Sequence, residues 1–161
     1  MSTVHMICGP LGAGKTTFAR RLERQQTALR FTHDEWMVRL YGTDPPADRF
    51  PEYAERVSTL VNTFWPKCVE MGWEVILDFD FWKRSERDAT RSIAAAHGAT
   101  TILYWLECPK ATAWQRIERR NSEPNTLFIT PATFEALWPQ FEPPDPDEGA
   151  RLIAELTHPS V

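Results

Sequence analysis

Apolar positions fall into two alternating patterns along the chain: short continuous runs, and stretches with apolar residues three or four apart. Thr3 to Cys8 is a short apolar run ending at a glycine cluster, which predicts a strand. From Lys15 to Gln26, Phe18, Ala19 and Leu22 fall at helical spacing, so a helix opens inside the glycine loop. Ala28 to Thr32 predicts a second strand. Asp34 to Gly42 follows as a short helix, with Asp34 placed as its N-cap and Gly42 as its stop. A long helix is predicted from Glu52 to Met71, where Tyr53, Val57, Leu60, Val61, Phe64, Cys68 and Met71 make one apolar stripe. Pro66 inside it removes a backbone donor and predicts a kink. Trp73 to Phe79 is nearly continuous apolar sequence, as expected of a strand covered on both faces. Ser85 to His97 reads as a serine-capped helix stopped by Gly98, Thr100 to Leu106 as a strand, and Pro109 to Arg120 as a helix. Thr130 to Leu137 predicts a shorter helix, and Ala150 to Leu156 a final strand.

Strands alternating with helices predict an α/β domain with a parallel sheet. In such a sheet every strand's C-terminal end lies on one edge, and ligands bind in the crevice there. The residues just after each strand are therefore the candidates for chemistry.

Composition narrows the classes. The 161 residues suit one domain spanning 1–161, and 42% hydrophobic with 25% charged residues is ordinary globular usage. Eighteen basic against 22 acidic side chains, with no basic block, argues against a duplex nucleic-acid partner. No apolar run reaches the ~18–20 residues that span a bilayer, and no signal segment is visible, so a soluble, cytoplasmic chain is expected. Cys8, Cys68 and Cys108 are scattered and form no C-x-x-C pair, and the four histidines have no ligand spacing. A metal, if used, is then expected to be a hard cation brought by a nucleotide.

The segment after the first strand carries the sharpest signal. Gly9-Pro10-Leu11-Gly12-Ala13-Gly14-Lys15-Thr16 matches G-x-x-x-x-G-K-[ST] completely, with Thr17 following. Glycines let successive backbone N–H groups turn towards phosphate oxygens, and the following helix points its positive end at the same anion. Lys15 reaches the β- and γ-phosphates in such a loop, and the Thr16 hydroxyl can ligate Mg²⁺.

With this loop, Asp34-Glu35-Trp36, Val75 to Asp78, Arg116 to Asn121 and Phe141 to Gly149, the chain resembles small P-loop kinases. The group includes chloramphenicol phosphotransferase, zeta toxins, shikimate kinase and polynucleotide kinase, and the likeness is greatest to its "AAA family ATPase" or predicted-kinase members. The resemblance implies a P-loop NTPase three-layer sandwich with strand order 2-3-1-4-5, a mobile helical lid at about 116–131, and ATP-dependent transfer to a small molecule. It also implies that Asp34 takes the proton of the acceptor hydroxyl, with Glu35 as the neighbouring alternative. Asp34 could equally serve only as a helix cap. Asp78 stands where a Walker B acid holds Mg²⁺ or its water, and Asp80 repeats on the same side of the strand as a candidate for holding substrate; either could do so, and a solvated carboxylate pair at a strand end would look the same. Arg116 and Arg120 share a helix face. With Arg119 and Asn121 they resemble lid arginines that close over phosphates, although an exposed basic helix end would look the same.

Arg84 and Arg87, after the third strand, are candidates for an acidic group on the acceptor or for simple surface solvation. Trp36 and Trp82 follow the two acidic segments and are candidates for pocket walls, whereas Trp65, Trp73, Trp105 and Trp114 read as core. The leading expectation is an ATP- and Mg²⁺-dependent kinase acting on a small-molecule hydroxyl. The alternatives are a nucleotide-binding switch or slow ATPase without an acceptor, and a polynucleotide 5′-end kinase. No N-K-x-D for guanine and no Leu-Ser-Gly-Gly-Gln transporter signature occurs in the sequence.

Overall fold

The computed structural model describes residues 1–153. Strands β1 (Thr3–Cys8), β2 (Ala28–Thr32), β3 (Glu74–Asp78), β4 (Thr100–Leu106) and β5 (Arg151–Ile153) form one sheet in the order β2-β3-β1-β4-β5. All four strand pairs are parallel. The predicted last strand forms at its start, and the remainder of Ala150 to Leu156 lies outside the described residues.

Alternate side chains of the central strands feed two cores, which is why these strands read as continuous apolar sequence. Val4, Met6 and Cys8 of β1, with Val75 and Leu77 of β3, face helices α2 (His33–Tyr41), α3 (Phe50–Glu70) and α4 (Arg84–Ala96). Ile7, Ile76 and Tyr104 face the opposite way, onto Phe18, Ala19 and Leu22 of α1 (Lys15–Gln25). A third cluster joins Ala113 and Ile117 of α5 (Lys110–Arg120) to Ile129 and to Phe134 of α6 (Pro131–Leu137). Among the described residues no helix is long and apolar enough to cross a membrane.

Four local expectations change. In α3 the buried stripe is Val57, Val61, Trp65 and Val69, whereas Leu60, Phe64 and Met71 are 39%, 47% and 76% exposed. The helix carries two overlapping apolar stripes, and the tertiary fit buries the one bearing the indole, which removes more apolar area from water. Trp73, read as core, is 45% exposed, because β3 begins one residue later. Asp34 is not the cap of α2: the helix starts at His33 with Thr32 in the cap position, which leaves the Asp34 carboxylate in the first turn. α4 likewise starts before Ser85. The Glu86 carboxylate accepts the Lys83 N–H (3.2 Å), and Glu142, from 58 residues away, accepts the Arg84 N–H (2.9 Å).

Candidate active site

The phosphate-loop sequence folds as a tight strand-to-helix turn, and its glycines have separate structural reasons. Gly12 has φ +74°, and a Cβ there would lie 2.5 Å from the Ala113 carbonyl oxygen of α5. A Cβ on Gly9 would lie 2.6 Å from the Leu106 carbonyl oxygen at the end of β4. Gly14, at φ +94°, caps α1. The loop is therefore wedged between β4 and α5, and only a backbone without side chains passes. Leu11, Gly12, Gly14, Lys15, Thr16 and Thr17 line a cleft of about 350 Å³. Gly9 and Ala13 form the buried underside of the turn, and Pro10 faces a second, more apolar cavity beside Trp105 and Trp138.

Lys15 is folded onto its own loop: Nζ donates to the carbonyls of Gly9 (2.8 Å) and Pro10 (3.0 Å) and lies 3.7 Å from Asp80 Oδ1. Asp78, at the end of β3, is 3% exposed in its side chain and is hydrogen-bonded by the Thr16 hydroxyl. Its Oδ2 is buried without a hydrogen-bond partner, 3.8 Å from Arg30 Nη1. Burial pushes Asp78 up to about 6, against the Thr16 hydrogen bond and the Lys15 charge. An orphaned buried carboxylate oxygen beside a threonine hydroxyl is a hard oxygen pair, and it fits Mg²⁺. Among the described residues no group of three or more His, Cys, Asp or Glu could hold a metal by itself. A cation at Thr16 and Asp78 would thus complete its shell with phosphate oxygens and water, as Mg²⁺ does.

The opposite wall of the cleft is acidic. Asp34 and Asp80 are half-exposed in their side chains. Desolvation in the cleft acts upward on Asp34, but the His33 ring, 4.0 Å from Oδ1, and the charges of Arg120 and Lys15 hold it below the ordinary aspartate range. Asp80 moves the other way: desolvation and the Asp34 charge outweigh Lys15 and raise it. The two carboxylates are thus shifted in opposite directions. Glu35 is already engaged, accepting from Arg20 Nη2 (2.8 Å) and from Arg30 Nη1 (3.2 Å) and Nη2 (3.3 Å). Arg30 is itself held by Glu23 and by the Thr32 hydroxyl.

Helix α5 closes the third side with Arg116, Arg119 and Arg120. Arg116 Nη1 reaches the Ala13 carbonyl and the Cys108 sulfur at 3.5 Å each. Arg120 Nε is buried without a hydrogen-bond partner. After α5 the chain is pinned by Asn121, whose amide donates to the Ile129 carbonyl (2.8 Å) and accepts its N–H (3.0 Å). The Phe128 N–H donates to the Thr43 carbonyl (2.9 Å), joining this segment to the loop after α2.

Besides Gly9, Pro10 and Ala13, four candidates lie outside the cleft lining. Arg87 is fully buried, pairs with Glu148 through Nε (2.8 Å) and Nη2 (2.7 Å), and donates Nη1 to the carbonyls of Phe81 and Glu142 (both 3.0 Å). Arg84 bridges Asp145 (2.8 Å) and Asp147 (2.6 Å). Both arginines fasten the 142–148 segment to α4, so their charge is spent within the fold. Trp36 packs on the α3 side of the core, and Trp82 accepts the Glu142 N–H at its carbonyl (2.8 Å). Conversely, His33, Arg20, Val38, Phe79 and Thr126 line the cleft and were not singled out. Adjacency to Asp34 was the only available signal for His33. Arg20 carried none, because its position five residues after Lys15 is indistinguishable from a solvated helix face.

A family model described as an AAA domain matches residues 4–144. No curated protein matches the chain. Solved structures share the fold. A chain of the Pnkp1/Rnl/Hen1 RNA repair complex is 20% identical with a TM-score of 0.69, over 86% of this chain and 43% of that one. This chain thus spans less than half of that protein's length. A sugar kinase from Janibacter is 17% identical (TM-score 0.65; 95% of this chain, 85% of that one). Kti12 of Chaetomium thermophilum, in complex with ADP-AlF3, is also 17% identical (TM-score 0.65; 94% and 88%).

Proposed function

This chain belongs to the AAA domain family, and from that premise we propose that it is an ATP- and Mg²⁺-dependent phosphotransferase that moves a γ-phosphate to the hydroxyl of a small molecule. One observation carries the reading: Asp34, half-exposed and held as a carboxylate, faces the same cleft as Lys15 and Thr16. A nucleotide switch has no need of a free acid there. Glu35, tied to Arg20 and Arg30, has the weaker claim to be the base.

In this reading the loop amides and Lys15 bind the phosphates, with Lys15 turning from its own loop carbonyls to phosphate oxygens. Asp34 accepts the acceptor's hydroxyl proton and aligns its oxygen for in-line attack, which is where an acid matters most in phosphoryl transfer. Arg116 and Arg120, which line the cleft, stabilise charge on the equatorial oxygens. Thr16 and Asp78 would hold Mg²⁺, which would supply charge neutralisation. The cleft's carboxylates and guanidinium groups, alongside the apolar Leu11, Val38, Phe79, Ile117 and Leu127, suit a polar, hydroxyl-rich acceptor. An oligonucleotide 5′-hydroxyl is the second reading, supported by Arg20 and Arg119 at the rim and by the fold shared with the RNA repair protein.

The test is ADP release from Mg-ATP against a panel of sugars, nucleosides, antibiotics and a short single-stranded oligonucleotide, with mass spectrometry of the product. Acceptor-dependent release is expected, falling at least ~100-fold in Lys15→Ala and in Asp34→Asn. Turnover that ignores both the acceptor and Asp34→Asn would sink the proposal in favour of a slow ATPase.

A further inference from the structure

The ring of His33 sits between α3 and the cleft, and its two nitrogens face different partners. Nε2 lies 3.1 Å from the Ala54 carbonyl oxygen of α3, while Nδ1 lies 4.0 Å from Asp34 Oδ1. A carbonyl only accepts, so Nε2 carries a hydrogen in every protonation state. Nδ1 is then a lone pair against a carboxylate when the ring is neutral, and a donor to it when the ring is charged. We propose that His33 is the positioning residue for Asp34: anchored on Ala54, its Nδ1 is turned towards one carboxylate oxygen 4.0 Å away, pairs with it as the charged ring, and leaves the other oxygen to the acceptor hydroxyl. The inference rests on the phosphotransferase reading of this cleft.

The surroundings favour the charged ring. Desolvation acts to lower its proton affinity, but the neighbouring Asp34 carboxylate, the Ala54 carbonyl and the Asp80 carboxylate outweigh it and raise it above the ordinary histidine value. From α3 the ring meets a backbone carbonyl, from α2 Asp34, and from the segment after β3 Asp80; Lys15 of α1 and Arg120 of α5 act on Asp34 across the cleft. The productive arrangement is therefore present between the Asp34 and His33 titrations: it is lost on the acid side when Asp34 takes a proton, and on the alkaline side as pH rises through the His33 titration. On the alkaline side, Asp34 is still a carboxylate but is free to turn.

Two measurements test this. Imidazole NMR titration of His33 is expected to show a raised pKa in the parent that falls by about one unit in Asp34→Asn. A pKa that does not move overturns the pairing, and this readout needs no turnover. The second is kcat against pH for ADP release from Mg-ATP, using the best acceptor of the panel or water. The parent is expected to lose rate on the alkaline side as His33 deprotonates. His33→Asn, which presents a permanent amide N–H to Asp34, should flatten that limb. His33→Phe should lower kcat by roughly tenfold at neutral pH, with KM for ATP changed less than about twofold. Circular dichroism shows whether each variant folds. An alkaline limb that persists in His33→Asn overturns the positioning role. If turnover needs no Asp34 while the NMR coupling holds, it is the phosphotransferase reading that fails, and the ion pair stands as a structural one.

Discussion

Single residues in this cleft are defined by which hydrogen-bonding atoms are left over. Asp78 is the clearest case, since its buried carboxylate is pushed up to about 6 and keeps an oxygen without a hydrogen-bond partner. A carboxyl raised in the native state binds its proton more tightly than in the unfolded chain. Stability therefore falls as pH rises from about 4 to about 6, by roughly 3 kcal/mol in total. Asp78→Asn removes that cost. The expected result is a higher Tm than the parent at pH 8 without Mg²⁺, and at least ~100-fold slower Mg-ATP turnover. A lower Tm, seen by calorimetry at pH 8, would show that the charge is stabilised by groups other than a cation.

Elements here are held as much by side chains from distant segments as by their own caps. The Arg87–Glu148 pair is fully buried, with Arg91 also donating to Glu148 (3.1 Å), and it ties α4 to the segment leading into β5. Arg87 holds Glu148 down to about 2. A depressed carboxyl contributes stability that is complete above its unfolded value near ~4.3 and is lost as pH falls towards 2. Removing one partner leaves the other charge buried, so Glu148→Gln should cost about 3–5 kcal/mol and remove the acid-side slope of stability between pH 4.3 and 2. Urea unfolding at pH 7 and pH 3 measures both. An equal loss at the two pH values would assign the effect to packing and not to the ion pair.

On the scale of the whole molecule, the cleft is enclosed by segments far apart in sequence: the loop after β1, the start of α2, the end of β3 and the end of α5. The parallel sheet order brings these together, because the C-terminal ends of β2, β3, β1 and β4 lie on one edge. Segment 121–130 bridges from α5 to the loop after α2 through the Phe128–Thr43 hydrogen bond. If this segment is the lid, a non-hydrolysable ATP analogue with Mg²⁺ should slow proteolytic cleavage between Arg116 and Pro131 by roughly tenfold or more, leaving other sites unchanged. Equal protection along the whole chain would instead indicate global stabilisation by ligand binding.

The order of elements, the parallel sheet and the phosphate loop were legible in the sequence, because each rests on local chemistry. Two-sided burial makes strands continuously apolar, helical packing spaces apolar residues by three or four, and G-x-x-x-x-G-K-[ST] is a contiguous demand of one turn. β2, β4 and the start of α1 follow the sequence reading to within a residue. Strand order came from a family resemblance, not from periodicity. What only the tertiary structure decided depends on contacts between distant segments. Leu60 and Trp65 of α3 satisfy the same periodicity, and the sheet chooses between them. Arg84 and Arg87 look like solvated or ligand-binding charges until Asp145, Asp147 and Glu148 are folded onto them. His33 is an unremarkable histidine until Ala54, 21 residues on, fixes its ring against Asp34. Charge and hydrogen-bonding capacity are written in the sequence; how much of that capacity the fold leaves unspent, and so available for chemistry, is set only by the neighbours that folding supplies.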